Sequence, residues 1–358
     1  MDPSNENKFY DTDIPYIRCE GSNYEIGLKH GAVGKDLIKK NVETYEKLYQ
    51  ETAQITWDEA KERARKYVPF LEKYWPEILA EMRGIAVGAE RDMLDIITLN
   101  IRSEICLTNY SDGCSSLSQK NVDSGDVYIS QNWDWIKELG EGIVILDIKP
   151  KYKPRILMMS EAGIVGKIGF NDSGLGLMMN AIKCGVAQIK LPVHLAIRKC
   201  LEATSVDECL YDLERFGIAS TSNIMLADKS GKYLSVEASP KGLAILEPNK
   251  EGLVLHTNHL YAQERFVKDY PAPNSLSRLE RLTELSKGTS ASFEDIRRRL
   301  SDEDNYPYSI CRGVIPNATG VEAMITLATL IVNLSEKKGE ISFGRPSEGH
   351  KRYKLSFN

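Results

Sequence analysis

No two cysteines in this chain are spaced as CxxC, and the seven present, at positions 19, 106, 114, 184, 200, 209 and 311, are odd in number. That pattern argues against both a zinc site and a disulfide framework, so most of these thiols are expected to be reduced core residues. No apolar run approaches the roughly 18 residues that span a bilayer, and no membrane role is expected. The opening "MDPSNENKFYDTDIPYIRCE" is polar and acidic, without the charged-then-apolar order of a secretory signal. The terminal Ser356-Phe357-Asn358 is not a peroxisomal tripeptide, and the expected location is cytoplasmic. A basic stripe is missing too. The formal charge is −5, and the densest cationic cluster, "DIRRRLSDEDN", runs directly into acid, which reads as a solvated helix end. Nucleic acid is therefore not an expected partner.

What is present divides into two textures. From Ser22 to about Cys106 the chain reads helical. Ser22 with Glu25 and Thr56 with Glu59 form capping-box pairs that satisfy free amides at a helix start. Gly34, Leu37, Ile38, Val42, Tyr45, Leu48 and Tyr49 recur at three and four residues and make one apolar face. Pro69 and Pro76 are expected to interrupt the helical stretch that follows. From Asp112 the texture changes to short β-rich runs such as "DVYISQNWDW", "EGIVILDIKP", "GLGLMMNAI", "SNIMLAD" and "GLVLHTNH", interleaved with the helical "LPVHLAIRKCLEATSVDECLYDLERFG" and "SLSRLERLTELSKG". A helical front followed by strands, helices and strands implies a layered α+β protein.

The change of texture falls on "YSDGCSSLSQ", residues 110–119. Asp-Gly ahead of Cys114 suits a tight turn, and a small buried cysteine needs no further account. A second reading is chemical. If the Gly113–Cys114 bond is cut, Cys114 gains an α-amino group of reference pKa ~7.7–8.0, placed to act as base for its own thiol. The same thiol can make the cut by attacking the Gly113 carbonyl, where glycine leaves the carbonyl uncrowded.

"DGCSS", "SQNWDW", "SEAGIVGKIGFNDSGLGLMMNA", "LHTNH" and "DEDNYPYSICR", in this order, resemble the fungal acyl-coenzyme A:isopenicillin N acyltransferases and the wider family of cysteine N-terminal nucleophile hydrolases. The likeness runs from "IRCEGSNYEIGLKHG" almost to the C-terminus. It implies a four-layer αββα fold with a helical N-terminal segment. It also implies self-cleavage into a small subunit of residues 1–113 and a large subunit of residues 114–358. By the same resemblance, Cys114 is the nucleophile, with Gly113 and Cys114 the cleavage site. Asp134 holds the cysteine's amino group or thiol, the Asn258 amide helps form the oxyanion hole, and Arg312 is a fixed cation near the nucleophile. Ser116, Ser239 and Ser309 match hydroxyl positions linked to processing or activity, and Asn180 is a candidate second oxyanion or substrate contact. Where the penicillin-forming enzymes carry threonines after the cysteine, this chain has Ser115 and Ser116.

The implied function is acyl transfer through a Cys114 thioester, between amides or acyl-coenzyme A thioesters and small peptide-derived amines, with no bound cofactor and no metal. Acyl-coenzyme A is the candidate co-substrate and the cleaved small subunit a lasting partner. Two alternatives stand beside it. One is a hydrolase of small N-acyl or β-alanyl amides that uses no acyl-coenzyme A; the other is a catalytically silent paralogue. His256 and His259 also raise a papain-like Cys–His dyad or metal ligation, for which no third ligand motif lies nearby.

Overall fold

The structure is a computed structural model that describes residues 14–106, 113–183, 187–262 and 273–357. Asp112 and Cys184 lie outside the described residues, as does the polar start of the chain. Among the described residues the first element is strand β1 (Tyr16–Gly21), followed by helices α1 (Asn23–Val33), α2 (Lys35–Ala53), α3 (Trp57–Arg65), α4 (Val68–Tyr74), α5 (Pro76–Gly88), α6 (Met93–Asn100) and α7 (Arg102–Cys106). Both expected capping boxes form. Ser22 and Thr56 accept from the amides of Glu25 and Glu59, whose carboxylates accept in return from the two cap amides. Pro69 and Pro76 each sit in the first turn of a helix, where the missing N–H goes unneeded.

From Gly113 onward come β2 (Gly113–Lys120), β3 (Val127–Ile136), β4 (Ile143–Pro150), β5 (Ile156–Glu161), β6 (Gly169–Asn171) and β7 (Leu175–Ala181), then helices α8 (Val193–Leu201) and α9 (Val206–Phe216). Strands β8 (Ser222–Asp228), β9 (Tyr233–Ser239), β10 (Gly242–Leu246) and β11 (Leu253–His256) follow, then α10 (Pro273–Ser286) and α11 (Phe293–Leu300). The chain closes with β12 (Met324–Asn333), β13 (Lys338–Phe343) and β14 (Arg352–Ser356).

These strands make two sheets, one ordered β1-β4-β5-β6-β7-β8-β9-β10 and the other β11-β2-β3-β12-β13-β14. The sheets pack face to face. Gln131 of β3 pins them together, its amide donating to the Met179 carbonyl (2.7 Å) and accepting from the Met179 amide (2.8 Å) of β7. Helices α10 and α11 cover the outer face of the smaller sheet, burying Leu282, Ile296 and Leu300 against Leu117 and Tyr128. The remaining helices cover the larger sheet, where Asn41 of α2 donates to the carbonyls of Gly142 and Ala162. The result is a four-layer αββα, α+β fold.

Two features depart from the sequence reading. A strand that the sequence reading did not single out, β1, comes just before the helical segment that starts at Ser22. β1 pairs in parallel with β4, and Tyr16 and Arg18 both donate to the buried Asp147 carboxylate at 2.8 and 3.0 Å. Residues 14–106 are thus woven into the larger sheet rather than merely laid upon it. The arginines of "DIRRRL" are also not all solvated: Arg299 is 1% exposed and donates to Gln119 Oε1 at 3.0 Å, and burial lowers its pKa to about 10.

Helices α1 and α5 touch backbone to backbone. A Cβ on Gly27 would lie 1.9 Å from the Glu81 carbonyl oxygen, and one on Gly84 would lie 2.3 Å from that of Tyr24. Gly31 and Gly88 meet the facing helix in the same way. Each helix therefore carries a pair of glycines four residues apart on its contact face, where no side chain fits.

Candidate active site

Cys114 is the second residue of β2 and fully buried. Its backbone N–H donates to Asn258 Oδ1 at 2.8 Å, and its carbonyl oxygen accepts from the Arg278 guanidinium at 2.5 Å. Asn258 lies two residues past β11, the neighbour that pairs with β2, with His256 opposite Ser116. Its amide nitrogen donates one hydrogen to the Ala181 carbonyl at 2.9 Å; the second hydrogen of that NH₂ group is a donor beyond this bond. Burial pushes the Cys19 thiol up to about 12 and raises that of Cys311, while Cys209, which donates to the Cys200 carbonyl, is raised well above the ordinary value.

Asp134 stands opposite Gly113 in the β2–β3 register. Its carboxylate lies against the glycine, so that a Cβ on Gly113 would fall 2.8 Å from Asp134 Oδ2. That contact explains why a glycine precedes Cys114. Oδ1 accepts from Thr326 Oγ1 at 2.7 Å, whereas Oδ2 is buried with no hydrogen-bond partner. Burial raises the pKa of this carboxyl, and the charges of Arg278 and Arg312 together with the Thr326 hydroxyl work against the rise.

The positive charge of Arg312 acts on Asp134 and opposes the rise of its pKa. The Arg312 backbone N–H donates to Thr326 Oγ1 (2.8 Å), its Nε donates to the Met324 carbonyl (3.1 Å), and its guanidinium sits 5.5 Å from the centroid of the Tyr308 ring. Ser116 donates to Asn180 Oδ1 at 2.6 Å, linking β2 to β7. Asn223 donates to the same oxygen at 2.9 Å and is held in turn by Ser235 at 2.6 Å. With Oδ1 so engaged, Asn180 Nδ2 is left buried and unpartnered.

Ser239 ends β9, and Ser309 lies in the bend that leads to Cys311. Ser239 bridges the β9–β10 hairpin, donating to Gly242 O and accepting from Lys241 N, and Ser309 donates to the Cys311 carbonyl. His256 has both ring nitrogens engaged, by Glu237 Oε1 at 3.1 Å and by Thr257 O at 2.7 Å. His259 faces Ser275 and Thr257, and burial, with the nearby charges of His256 and Arg278, lowers its pKa to about 4. Neither imidazole is engaged with the thiol. Among the described residues no cluster of His, Cys, Asp or Glu side chains is arranged to hold a metal ion, and no helix is long and apolar enough to cross a membrane.

Sequence reasoning missed Arg278 and Ser275. Arg278, 2% exposed, donates to the Cys114 carbonyl, to Ser115 Oγ at 3.0 Å and to Asn258 Oδ1 at 2.8 Å. Ser275 accepts from the Asn258 backbone N–H at 2.7 Å and so fixes the loop that carries the amide. The signal lay in "SLSRLERLTELS": Ser275, Arg278, Leu282 and Ser286 recur at helical spacing on the buried face of α10. An arginine among core-facing positions is rarely idle. On the far side of Arg278, a cavity of about 370 Å³ lies between α10 and the stretch from Asp304 to Ile310, walled by Ser277, Arg281, Glu284, Asp304 and Tyr308.

Residues 120–348 match the family described as acyl-coenzyme A:6-aminopenicillanic acid acyl-transferase. The chain is 32% identical, over 96% of its own length and 96% of the relative's, to the acyl-coenzyme A:6-aminopenicillanic-acid-acyltransferase 40 kDa form of Emericella nidulans. Similar solved structures include the Caenorhabditis elegans N-acylethanolamine-hydrolyzing acid amidase orthologue (16% identity, TM-score 0.46, 62% of this chain and 93% of that one). Another is the conjugated bile acid hydrolase of Clostridium perfringens (14% identity, TM-score 0.48, 68% of this chain and 97% of that one).

Proposed function

Since the chain belongs to the acyl-coenzyme A:6-aminopenicillanic acid acyltransferase family, we propose that it is a self-processing N-acyltransferase and amidohydrolase whose acyl group is carried as a thioester on Cys114. The observation that carries this reading is the bond from Cys114 N–H to Asn258 Oδ1, made beside an Asp134 carboxylate that rests on Gly113.

In processing, the Cys114 thiol adds to the Gly113 carbonyl. The C–N bond breaks, leaving a thioester and a free Cys114 amine, and water then opens the thioester to give a Gly113 carboxylate and the restored thiol. In turnover, the freed amine takes the thiol proton and the thiolate adds to the carbonyl of an amide or an acyl-coenzyme A thioester. The resulting oxyanion accepts from the second Asn258 Nδ2 hydrogen, and Asn180 Nδ2 supplies a further oxyanion or substrate contact. The leaving amine or thiol departs with the proton held by the α-ammonium, and an amine or water takes the acyl group from sulfur. Arg278, touching both the Cys114 carbonyl and the Asn258 oxygen, favours the neutral amine and the thiolate through its positive charge.

The test is intact mass under denaturing conditions, followed by incubation with a panel of acyl-coenzyme A thioesters, amides and small amines. Two chains, 1–113 and 114–358, and an acyl adduct on the second are expected. Released coenzyme A with a new amide identifies transfer; free acid identifies hydrolysis. Fully active enzyme made of one uncut chain would overturn the reading.

A further inference from the structure

The stretch "QNWDW" contributes Asp134 to the site, but its first tryptophan has no role so far. Trp133 is 1% exposed, and its indole Nε1–H has no hydrogen-bond partner. Burying a donor without an acceptor is costly, and native folds seldom leave one so. Trp57 shows the ordinary solution, donating to Asp95 Oδ1 at 2.7 Å. Trp75 Nε1 is also unpaired, but it lies between α4 and α5 in the helical layer.

The position of Trp133 is different. It stands directly opposite Cys114 in the β2–β3 ladder. The N–H and C=O of Cys114 are turned away from β3 toward Asn258 and Arg278. The two residues therefore form a non-hydrogen-bonded pair, the closer of the two antiparallel types, with Cα atoms typically ~4.5 Å apart. Alternation along β2 puts Cys114 on the same face as Ser116, whose hydroxyl reaches Asn180 of the opposite sheet. Thiol and indole therefore share the layer between the sheets. Lys167, itself 1% exposed, places its ammonium 4.0 Å from the centroid of the Trp133 ring and 3.2 Å from Glu161 Oε2. A cation on the face of the ring draws electron density from it and makes the N–H a stronger donor.

We propose that Trp133 is a further catalytic residue: its Nε1–H donates to the oxygen of the acyl carbonyl as that oxygen becomes an oxyanion on addition of the Cys114 thiolate. Lys167 acts through the indole as a positioning and polarising residue. The inference rests on Cys114 being the nucleophile.

The experiment uses two-chain enzyme and a single acyl-coenzyme A thioester, hexanoyl-coenzyme A, with the first-turnover release of coenzyme A followed in wild type, Trp133→Phe, Lys167→Met and the double variant. Phenylalanine keeps an aromatic face for Lys167 while removing the N–H together with the pyrrole ring that carries it. The acylation rate constant should fall on the order of 10²-fold, as for loss of one oxyanion donor, with substrate affinity little changed. Lys167→Met should slow acylation by roughly 3–10-fold in the wild-type background and have no effect in the Trp133→Phe background. A Trp133→Phe enzyme that acylates at the wild-type rate, or a Lys167→Met effect that persists without the indole N–H, would overturn the proposal. If Trp133→Phe does not mature into two chains, Lys167→Met decides alone: a fall of roughly 3–10-fold in the acylation rate constant supports the proposal and an unchanged one overturns it. Failure of the underlying reading would look different, because wild type itself would then form no thioester at Cys114.

Discussion

The backbone N–H of Cys114 donates to the side-chain oxygen of Asn258 at 2.8 Å, joining residues 144 positions apart. If the preceding peptide bond is cut, that N–H belongs to an α-amino group, and the acceptor that orients it is already in place. Uncut, the strand already presents the acceptor that a free Cys114 amine would need. Asp134 against Gly113 and Arg278 on the Cys114 carbonyl bracket the same bond from the outer face of the sheet.

Cys114→Ala should abolish both cleavage and turnover, because neither step has a nucleophile without the thiol. Cys114→Ser should cleave slowly or not at all and lose nearly all turnover, since a hydroxyl is far less acidic than a thiol. Alanine at Cys19, Cys200, Cys209 or Cys311 should leave cleavage intact. Mass spectrometry after timed incubation reads all of these, and normal cleavage in Cys114→Ala would place the nucleophile elsewhere.

Arg278→Gln should move the acid limb of the kcat/KM profile to higher pH. A cation beside the amine and thiol favours the neutral amine and the thiolate, so its loss raises both pKa values and the active form appears later as pH rises. Arg278→Lys, which keeps the charge but not the fork reaching Cys114, Ser115 and Asn258, should shift the limb less while still losing rate. A pH profile of Arg278→Gln that overlays wild type would reduce Arg278 to a structural residue.

Much of the architecture was legible because it is written locally. Both capping boxes, the apolar face of α2 and nearly every buried strand announce themselves in residue spacing. β1 did not, because its six residues sit beside a polar terminus and gain their place only from β4, far along the chain. Within the site, Cys114, Asp134 and Asn258 stood in recognisable motifs. Arg278 was hidden inside an ordinary amphipathic helix, and which atoms Arg278 and Arg312 meet depends on which way two guanidinium groups turn. Spacing cannot show that. The glycine pairs of α1 and α5 were visible as letters, but only the facing helix explains them.

Gly84→Ala should therefore destabilise the helical layer. Its Cβ would be driven into the Tyr24 carbonyl, and overpacking of this kind costs typically ~1–3 kcal/mol. Val87→Ala on the exposed side of the same helix should change stability little. Denaturation midpoints of the two variants make the comparison, and equal midpoints would mean that α1 and α5 separate at little cost.

Acid should destabilise the fold in a defined window. Burial, with the charge of Arg198 nearby, lowers the pKa of His30 to about 3, and its ring accepts from the Gly163 amide at 3.0 Å as a neutral group. Below the ordinary value near 6.5 the unfolded chain binds a proton that the folded chain refuses. Stability is therefore fully present above that value and declines as pH falls toward about 3, by ~1.4 kcal/mol per pH unit. Replacing the ring by His30→Gln removes this contribution, so the urea midpoint should fall less between pH 7 and pH 5 than in wild type. An unchanged slope would mean that His30 is not the group responsible.

Asn258 separates maturation from chemistry. Its oxygen receives the Cys114 and Arg278 donors, while its NH₂ group reaches Ala181 and supplies the proposed oxyanion bond. Asn258→Asp keeps the acceptor and removes the donor. A carboxylate there still holds the Cys114 nitrogen and pairs with Arg278, so two-chain enzyme should still form, although the Ala181 carbonyl loses its partner. Turnover should fall on the order of 10²–10³-fold, because the developing oxyanion then meets negative charge where it needs an N–H. Asn258→Ala removes both functions; it should lower turnover comparably and impair cleavage more than Asn258→Asp does. Kinetics must be measured on material shown by mass to be cleaved, so that lost turnover is not mistaken for failed maturation. Cleaved Asn258→Asp enzyme with near wild-type kcat would assign the oxyanion to other donors, and Asn258 would then be left with the task of holding the Cys114 nitrogen.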